Sequence, residues 1–365
     1  MIKQVIFNLS LGLIVMSSSF TNDFEKVISS FADGPYILDS GDSTLVIIQD
    51  TDYKFDTVNI KSNEITGIKF KCEFDGISCP PLLFYLHSLI PDSTCTFPMP
   101  DKLLAVSDIE GNFEKYFQLL TANNVMDSNY NWTFGQGHLV ILGDLVDRGE
   151  YVTQCLWLTY YLENEATKYG GKVHYLLGNH EQMVLLGYNY YSALKYRFNC
   201  SKLRIDLSQL FSEQTVLGRW LRCKNSMVKI GDLIFVHGGI SPSILQYDLS
   251  IEEINSIVRR DIDTQDYKTD ESLALLTEEG ILWYRGLVAD ILGNVKISEV
   301  ELDKVLNAYS CRSFVIGHTP VDNVSKDFNG KVIRLDVDHY VNSSAFYIEN
   351  GLQFICYNDG KRIKL

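Results

Sequence analysis

The chain has 365 residues, 46% of them hydrophobic, enough to bury a large core and to argue against disorder. Its 46 acidic and 32 basic residues leave a net charge of −14, which repels polyanions and argues against a nucleic-acid-binding function. An anionic substrate would need positive charge placed locally, by bound metals or a few arginines.

The amino terminus, MIKQVIFNLSLGLIVMSSSF, places Lys3 before an apolar run from Val5 to Met16 and then Ser17, Ser18 and Ser19. That order predicts a signal peptide over residues 1–19. The run is shorter than the roughly 20 residues a helix needs to cross a bilayer, so an exported protein is expected, periplasmic or secreted, with no span left after cleavage. Export would permit disulfides among the eight cysteines. Cys72, Cys79 and Cys95 cluster early, and Cys200 and Cys223 bracket a later segment, but pairing cannot be read from spacing. Cys155, Cys311 and Cys356 lie in or beside apolar elements and read as buried thiols.

Between about Asp23 and Pro100, short β-like runs such as STLVIIQD and ITGIKFKCEF alternate with turn signals at Asp33-Gly34 and Asp75-Gly76. These predict a β-rich N-terminal appendage over 23–100, with Pro98 and Pro100 marking its end. From Asp101 one pattern recurs five times: a strand-length apolar run with polar residues at its carboxyl end. The runs are LLAVSDIEG, HLVILGDLVDRG, VHYLLGNHE, LIFVHGG and SFVIGHTP. Helix-like segments, NFEKYFQLLTANN and YVTQCLWLTYYLENEATKYG, follow the first two. Strands alternating with helices predict an α/β core over 101–365 whose functional residues gather beyond the strand ends. The aromatic, polar stretch near 183–223 reads as a helical insertion, serving either packing or substrate access.

The strand ends carry Asp108, Glu110, Asp144, Asp147, Arg148, Asn179, His180, His237 and His318. These are oxygen and imidazole donors with no cysteine, a set suited to a pair of divalent ions such as Mn, Fe, Zn or Mg. Two such ions can activate one water and clamp a phosphoryl group. Any one of these residues alone is a weak signal; five strand ends in order are not. His87, His138, His174 and His339 lack this setting and read as structural.

The series GDLVDRG, GNHE, HGGISP and GHTP resembles the calcineurin-like metallophosphoesterases, and within them the phosphoprotein phosphatase superfamily. The phrases WTFGQGHLVILGDLVDRG, LGRWLRCK and GILWYRG resemble more narrowly the Shewanella-like bacterial phosphatases. The resemblance spans about Leu103 to Asp336. It implies a two-sheet β-sandwich flanked by helices, an α+β arrangement, with a dimetal site at one edge. It further implies that Asp108, the residue at position 110 and Asp144 hold one ion, and that Asp144, Asn179, His237 and His318 hold the other. A water between the ions would be the nucleophile, His180 oriented by Asp147 would protonate the leaving group, and Arg148 and Arg285 would hold the phosphoryl oxygens. Glu181 is expected to anchor an arginine.

The chain departs from that pattern at two positions. Glu110 stands where most of the superfamily has histidine, and Ser107 where a glycine is usual. An all-oxygen first site of Asp108, Glu110 and Asp144 would favour Mg, Ca or Mn, while the second, richer in nitrogen, suits zinc or iron. Phosphorylated proteins and small phosphate esters are both candidate substrates. The alternatives are a dinucleoside polyphosphate or pyrophosphate hydrolase and a non-catalytic relative that binds phosphoproteins.

Overall fold

Apolar runs that do not alternate with polar residues make strands covered on both faces. The computed structural model, which describes residues 27–30, 33–39, 43–49, 54–61, 63–91, 93–288 and 295–365, shows this for the core. Leu103, Ala105, Val140 and Leu142 point to one side, where they meet Val228, Ile230, Phe235, Val315 and Ile333 of a second sheet. Their neighbours Leu104, Val106, Leu139 and Ile141 point to the other side and pack with the helices. Each sheet is thus half of a sandwich and also a floor for helices, as the resemblance implies.

The first six-stranded sheet runs in the order Lys172–Tyr175, His138–Ile141, Lys102–Val106, Ser344–Glu349, Leu352–Tyr357, Arg362–Lys364. Its first three strands are parallel, so their carboxyl ends open on the same edge. The second runs Ser325–Asp327, Val332–Arg334, Ser313–Ile316, Leu233–Val236, Met227–Ile230, Thr96–Phe97. There Leu233–Val236, Ser313–Ile316 and Val332–Arg334 are mutually parallel and deliver their ends together. All five expected strands are present, and the helices Phe113–Ala122 and Val152–Thr167 follow the first two. The first helix begins where Asn112 accepts the Lys115 amide hydrogen at 3.3 Å, an N-cap that ends the SDIEGN turn.

The N-terminal region forms two three-stranded sheets, Val27–Ser30 with Lys69–Cys72 and Leu82–Phe84, and Asp33–Asp39 with Ser43–Gln49 and Phe55–Lys61. Asp33-Gly34 is therefore no turn, contrary to the sequence reading; it opens a strand, and the neighbouring Pro35 carbonyl accepts the Trp157 indole N–H at 3.1 Å. Phe84 stacks on Trp157 at 4.5 Å, so these sheets share the helix-side core. Thr96–Phe97, within the expected appendage, pairs with Met227–Ile230 as an edge strand of the second core sheet. The expected signal peptide lies outside the described residues. All eight cysteines are free thiols. Among the described residues no helix is long and apolar enough to cross a membrane.

The segment near 183–223 is helical, with Asn179–Leu185, Leu194–Leu203, Leu207–Leu210 and Val216–Arg222. It takes part in core packing. Trp220 packs on Tyr160 and Tyr175 at 5.7 and 5.2 Å. The loop before the second of these helices borders the site.

Candidate metal centre

The strand ends turn sharply, and the turns use backbone that side chains rarely adopt. Asp108, Glu110, Asp144, Asp147, Arg148 and His318 all have positive φ, between 49° and 68°. Such residues persist only when their surroundings hold them, and they concentrate at functional sites. Here the first two loops hold each other: the Glu110 N–H donates to the Asp144 carbonyl at 2.8 Å and the Gly149 N–H to the Glu110 carbonyl at 2.8 Å. A Cβ at Gly149 would collide with that Glu110 carbonyl, so glycine is required for the loops to meet. Gly317 is required for the same reason, since a side chain there would strike Ser107 and Asp108.

Three histidines have one ring nitrogen committed to an oxygen that can only accept, which fixes the proton there and leaves the other nitrogen for chemistry. His237 Nδ1–H donates to the Leu142 carbonyl at 2.5 Å, His318 Nε2–H to the Trp283 carbonyl at 2.9 Å, and His180 Nδ1–H to Asp147 at 2.8 Å. His237 Nε2 then lies 3.0 Å from Asn179 Oδ1 and 3.1 Å from Asp144 Oδ2. Donor atoms of Asp144, His237 and His318 fall within 4.8 Å of one another, and so do those of Glu110, Asp144 and His180. Asp144 belongs to both groups, while Asp108 belongs to neither but lines the same cavity as Glu110 and Asp144. Asp108 Oδ2 accepts the His318 N–H at 3.1 Å, which brings the first strand end to the fifth.

The charge of these residues suits bound divalent metal. Asp108 and Asp144 are buried, and Asp336 nearly so, with Glu110 beside them. Burial, reinforced by Asp144, pushes the Asp108 carboxyl up to about 6, and burial with Asp108 and Asp144 pushes Asp336 well above the carboxylate range. Burial acts on Asp144 too, but His237 and His180 outweigh it and hold its carboxyl below the usual range. Burial would lower His237, yet Asp144 raises it to about 10. Carboxylates this crowded and dry are stable only with compensating positive charge, which divalent cations supply.

Opposite these donors stand the residues expected to handle a phosphoryl group. Arg148, Arg285 and His180 line the same cavity of about 710 Å³ as Asp108, Glu110 and Asp144. Arg285 is held by the His318 carbonyl at 2.8 Å. Arg148 pairs with Glu110, and its guanidinium lies 5.5 Å over the Tyr191 ring. Glu110 is thus half-buried at the cavity wall with Arg148 as its partner, while the Lys115 ammonium donates to Gln118 at 3.3 Å. Burial opposes a charge on His180, but Asp144 and Asp147 outweigh it and raise the imidazole, keeping a proton available.

Glu181 corrects a sequence expectation, because it anchors no arginine. Its carboxylate accepts the N–H groups of Asp144 at 2.8 Å, Gly178 at 2.7 Å and Leu145 at 3.0 Å, and the Tyr175 hydroxyl at 2.9 Å. The left-handed turn at Asp144 aims its amides inward, and a buried carboxylate satisfies them. His339, expected to be structural, is buried and donates to the Ser107 carbonyl at 2.9 Å, steadying the first loop. His138 and His174 meet each other at 3.1 Å, and His87 stacks on Tyr160 at 4.0 Å, all away from the cavity. Sequence reasoning missed Asp336, which lines the cavity; it ends a sixth strand, in KVIRLDVDH, that follows the same pattern as the other five.

Comparison with known proteins agrees with this geometry. The family model for calcineurin-like phosphoesterases matches residues 101–357. Shewanella-like protein phosphatase 1 of Plasmodium berghei is 28% identical over 255 residues, 69% of this chain and 67% of that one. Shewanella-like protein phosphatase 2 of Arabidopsis thaliana is 24% identical over 286 residues, 66% of this chain and 72% of that one. The crystal structure of a cold-active protein-tyrosine phosphatase from a psychrophilic Shewanella species superposes with a TM-score of 0.80 at 30% identity, covering 91% of this chain and 99% of that one. A family match across most of the chain, a shared fold, and carboxylates and imidazoles converging from five strand ends lead to one assignment: the chain belongs to the calcineurin-like phosphoesterase family.

Proposed function

We propose that this phosphoesterase is a metal-dependent phosphatase that hydrolyses phosphomonoesters on proteins, with Asp144 at the centre of its chemistry. The observation that carries the reading is the position of Asp144: its carboxylate belongs to both donor groups and faces two arginines and a proton-bearing histidine across one cavity. Two divalent ions, held by Asp108, Glu110 and Asp144 and by Asp144, Asn179, His237 and His318, would supply an activated water and charge for the phosphoryl oxygens. Arg148 and Arg285 bind those oxygens, with forks that match the charge moving outward in the transition state. His180 carries the proton for the leaving oxygen on Nε2 while Asp147 holds Nδ1.

The leaving-group side of the cavity favours an aryl phosphate. Tyr191 packs edge-on against His180 at 5.1 Å and beneath Arg148, and the exposed ring of Tyr340 lines the cavity itself. A phenol ring in the cavity meets the apolar and aromatic lining of Ile109, Pro320, Val337 and Tyr340. The Shewanella neighbour is described as a tyrosine phosphatase, which supports the same preference. Turnover on phosphotyrosyl peptide, phosphoseryl peptide and a dinucleoside tetraphosphate tests this, with the first expected to be fastest. Preferred cleavage of the dinucleotide would replace the phosphatase reading with a polyphosphate hydrolase. Export to the periplasm or medium rests on the leader sequence alone, since the free thiols offer no disulfide to support it.

Glu110 sets the metal preference in this scheme. Glu110→Ala is expected to weaken the first ion and lower activity together, by about 10- to 100-fold, and to free Arg148 from its partner. Glu110→His should restore binding with a shift toward zinc or iron. Metal analysis after dialysis, with activity measured for each added ion, checks both. Full activity and unchanged selectivity in Glu110→Ala would remove Glu110 from the ligand set.

A further inference from the structure

Asp147 is held from two sides. Its Oδ2 accepts His180 Nδ1–H at 2.8 Å, and its Oδ1 accepts the hydroxyl of Ser192, also at 2.8 Å. Ser192 is buried and lies in the helical insertion, 45 residues from Asp147 in sequence. The residue before it, Tyr191, receives the Arg148 N–H on its carbonyl at 2.8 Å and places its ring against both Arg148 and His180. One short loop therefore touches the proton donor, its orienting carboxylate and an arginine.

That loop is tethered at its far end. The helix Leu194–Leu203 begins two residues after Ser192, and the amide nitrogen of its buried Asn199 lies 3.2 Å from acceptor oxygens of Asp33, Tyr36 and Gln49, which share its two hydrogens. Gln49 returns a hydrogen bond to Asn199 at 3.0 Å, and Lys195 lies 3.4 Å from Asp33. Tyr196 accepts the Thr153 N–H at 3.0 Å, which ties the same helix to the chain just beyond Arg148. A buried polar network of this kind favours one arrangement of the elements it joins. The strands Asp33–Asp39 and Ser43–Gln49 thus brace the insertion that carries Ser192.

We infer that Ser192 is a positioning residue for the reaction: its hydroxyl fixes the Asp147 carboxylate, and through it the ring of His180, with the N-terminal strands holding the loop in place. With the hydroxyl gone, Asp147 keeps one partner instead of two and can rotate, and His180 Nε2 loses its aim at the leaving oxygen. The inference rests on the reading of His180 as proton donor.

The test is Ser192→Ala in the full chain, assayed with an alkyl phosphate and with an activated aryl phosphate, alongside His180→Asn and Asp147→Asn. Ser192→Ala is expected to lower kcat about 10- to 100-fold on the alkyl ester with KM nearly unchanged, to lower it much less on the aryl ester, and to leave metal content unaltered. In an Asp147→Asn background the same change should cost less than about twofold, because the group it positions has already been lost. Equal losses of Ser192→Ala on both esters, or losses that add to those of Asp147→Asn, would overturn the inference while His180→Asn still discriminates between them. If His180→Asn itself fails to discriminate, the proton-donor reading has failed instead.

Discussion

Asp144→Asn is expected to abolish both metal retention and turnover. The substitution removes one negative charge that, in the proposed scheme, two cations would share. Even one unit-charge interaction at about 4 Å and an effective dielectric near 20 is worth about 4 kcal/mol, or about 10³-fold in affinity. The fold should survive. An asparagine oxygen can still accept the His180 N–H that Asp144 Oδ1 now takes at 3.0 Å, and Glu181 still holds the turn through the residue 144 amide. Metal analysis and circular dichroism on the same preparation separate these effects. A folded variant that keeps two ions would show that Asp144 does not bridge.

His180→Asn is expected to keep both ions and lose about 10²- to 10⁴-fold on esters with poor leaving groups, the usual span for a positioned acid. Activated aryl phosphates need little protonation and should lose much less. Asn at this position leaves Asp147 with Ser192 as a partner, so the neighbouring loop is not undone. Parallel kinetics on the two ester types, with metal content as a control, decide the matter. Equal loss on both would place His180 in binding rather than proton transfer.

The strand ends were legible because a two-faced strand has to be a continuous apolar run, and the residue types that follow it stand out against that background. Their convergence on one edge follows from parallel pairing, so Asp108, Asp144, Asn179, His237 and His318 could be grouped before any coordinates. What could not be read is the geometry of the turns. Asp and His tolerate left-handed φ better than most residues, but nothing in the sequence says that Asp108, Asp144 and His318 adopt it, and it decides which amides point inward; hence the wrong partner assigned to Glu181. The Glu110–Arg148 pair was hidden for the same reason, since the two residues are brought together only when the loops of the first two strands cross. Ser192 carried no signal because its tyrosine-rich segment reads as packing or substrate access without singling out any one residue. Asp33-Gly34 misled because turn chemistry is local, whereas the strand there is held by tertiary contacts from Trp157 and Asn199.

The claim that matters most is that the converged donors make a metal-dependent phosphatase rather than a phosphoprotein-binding relative. The most direct measurement is phosphate release from a phosphotyrosyl peptide by the chelator-stripped chain as Mn²⁺ is titrated back, with bound metal and bound peptide followed in parallel. Release should be negligible without metal and should rise to a plateau as two ions bind per chain. Tight peptide binding with no phosphate released at any occupancy, for Mn²⁺ and for the other divalent ions, would contradict it.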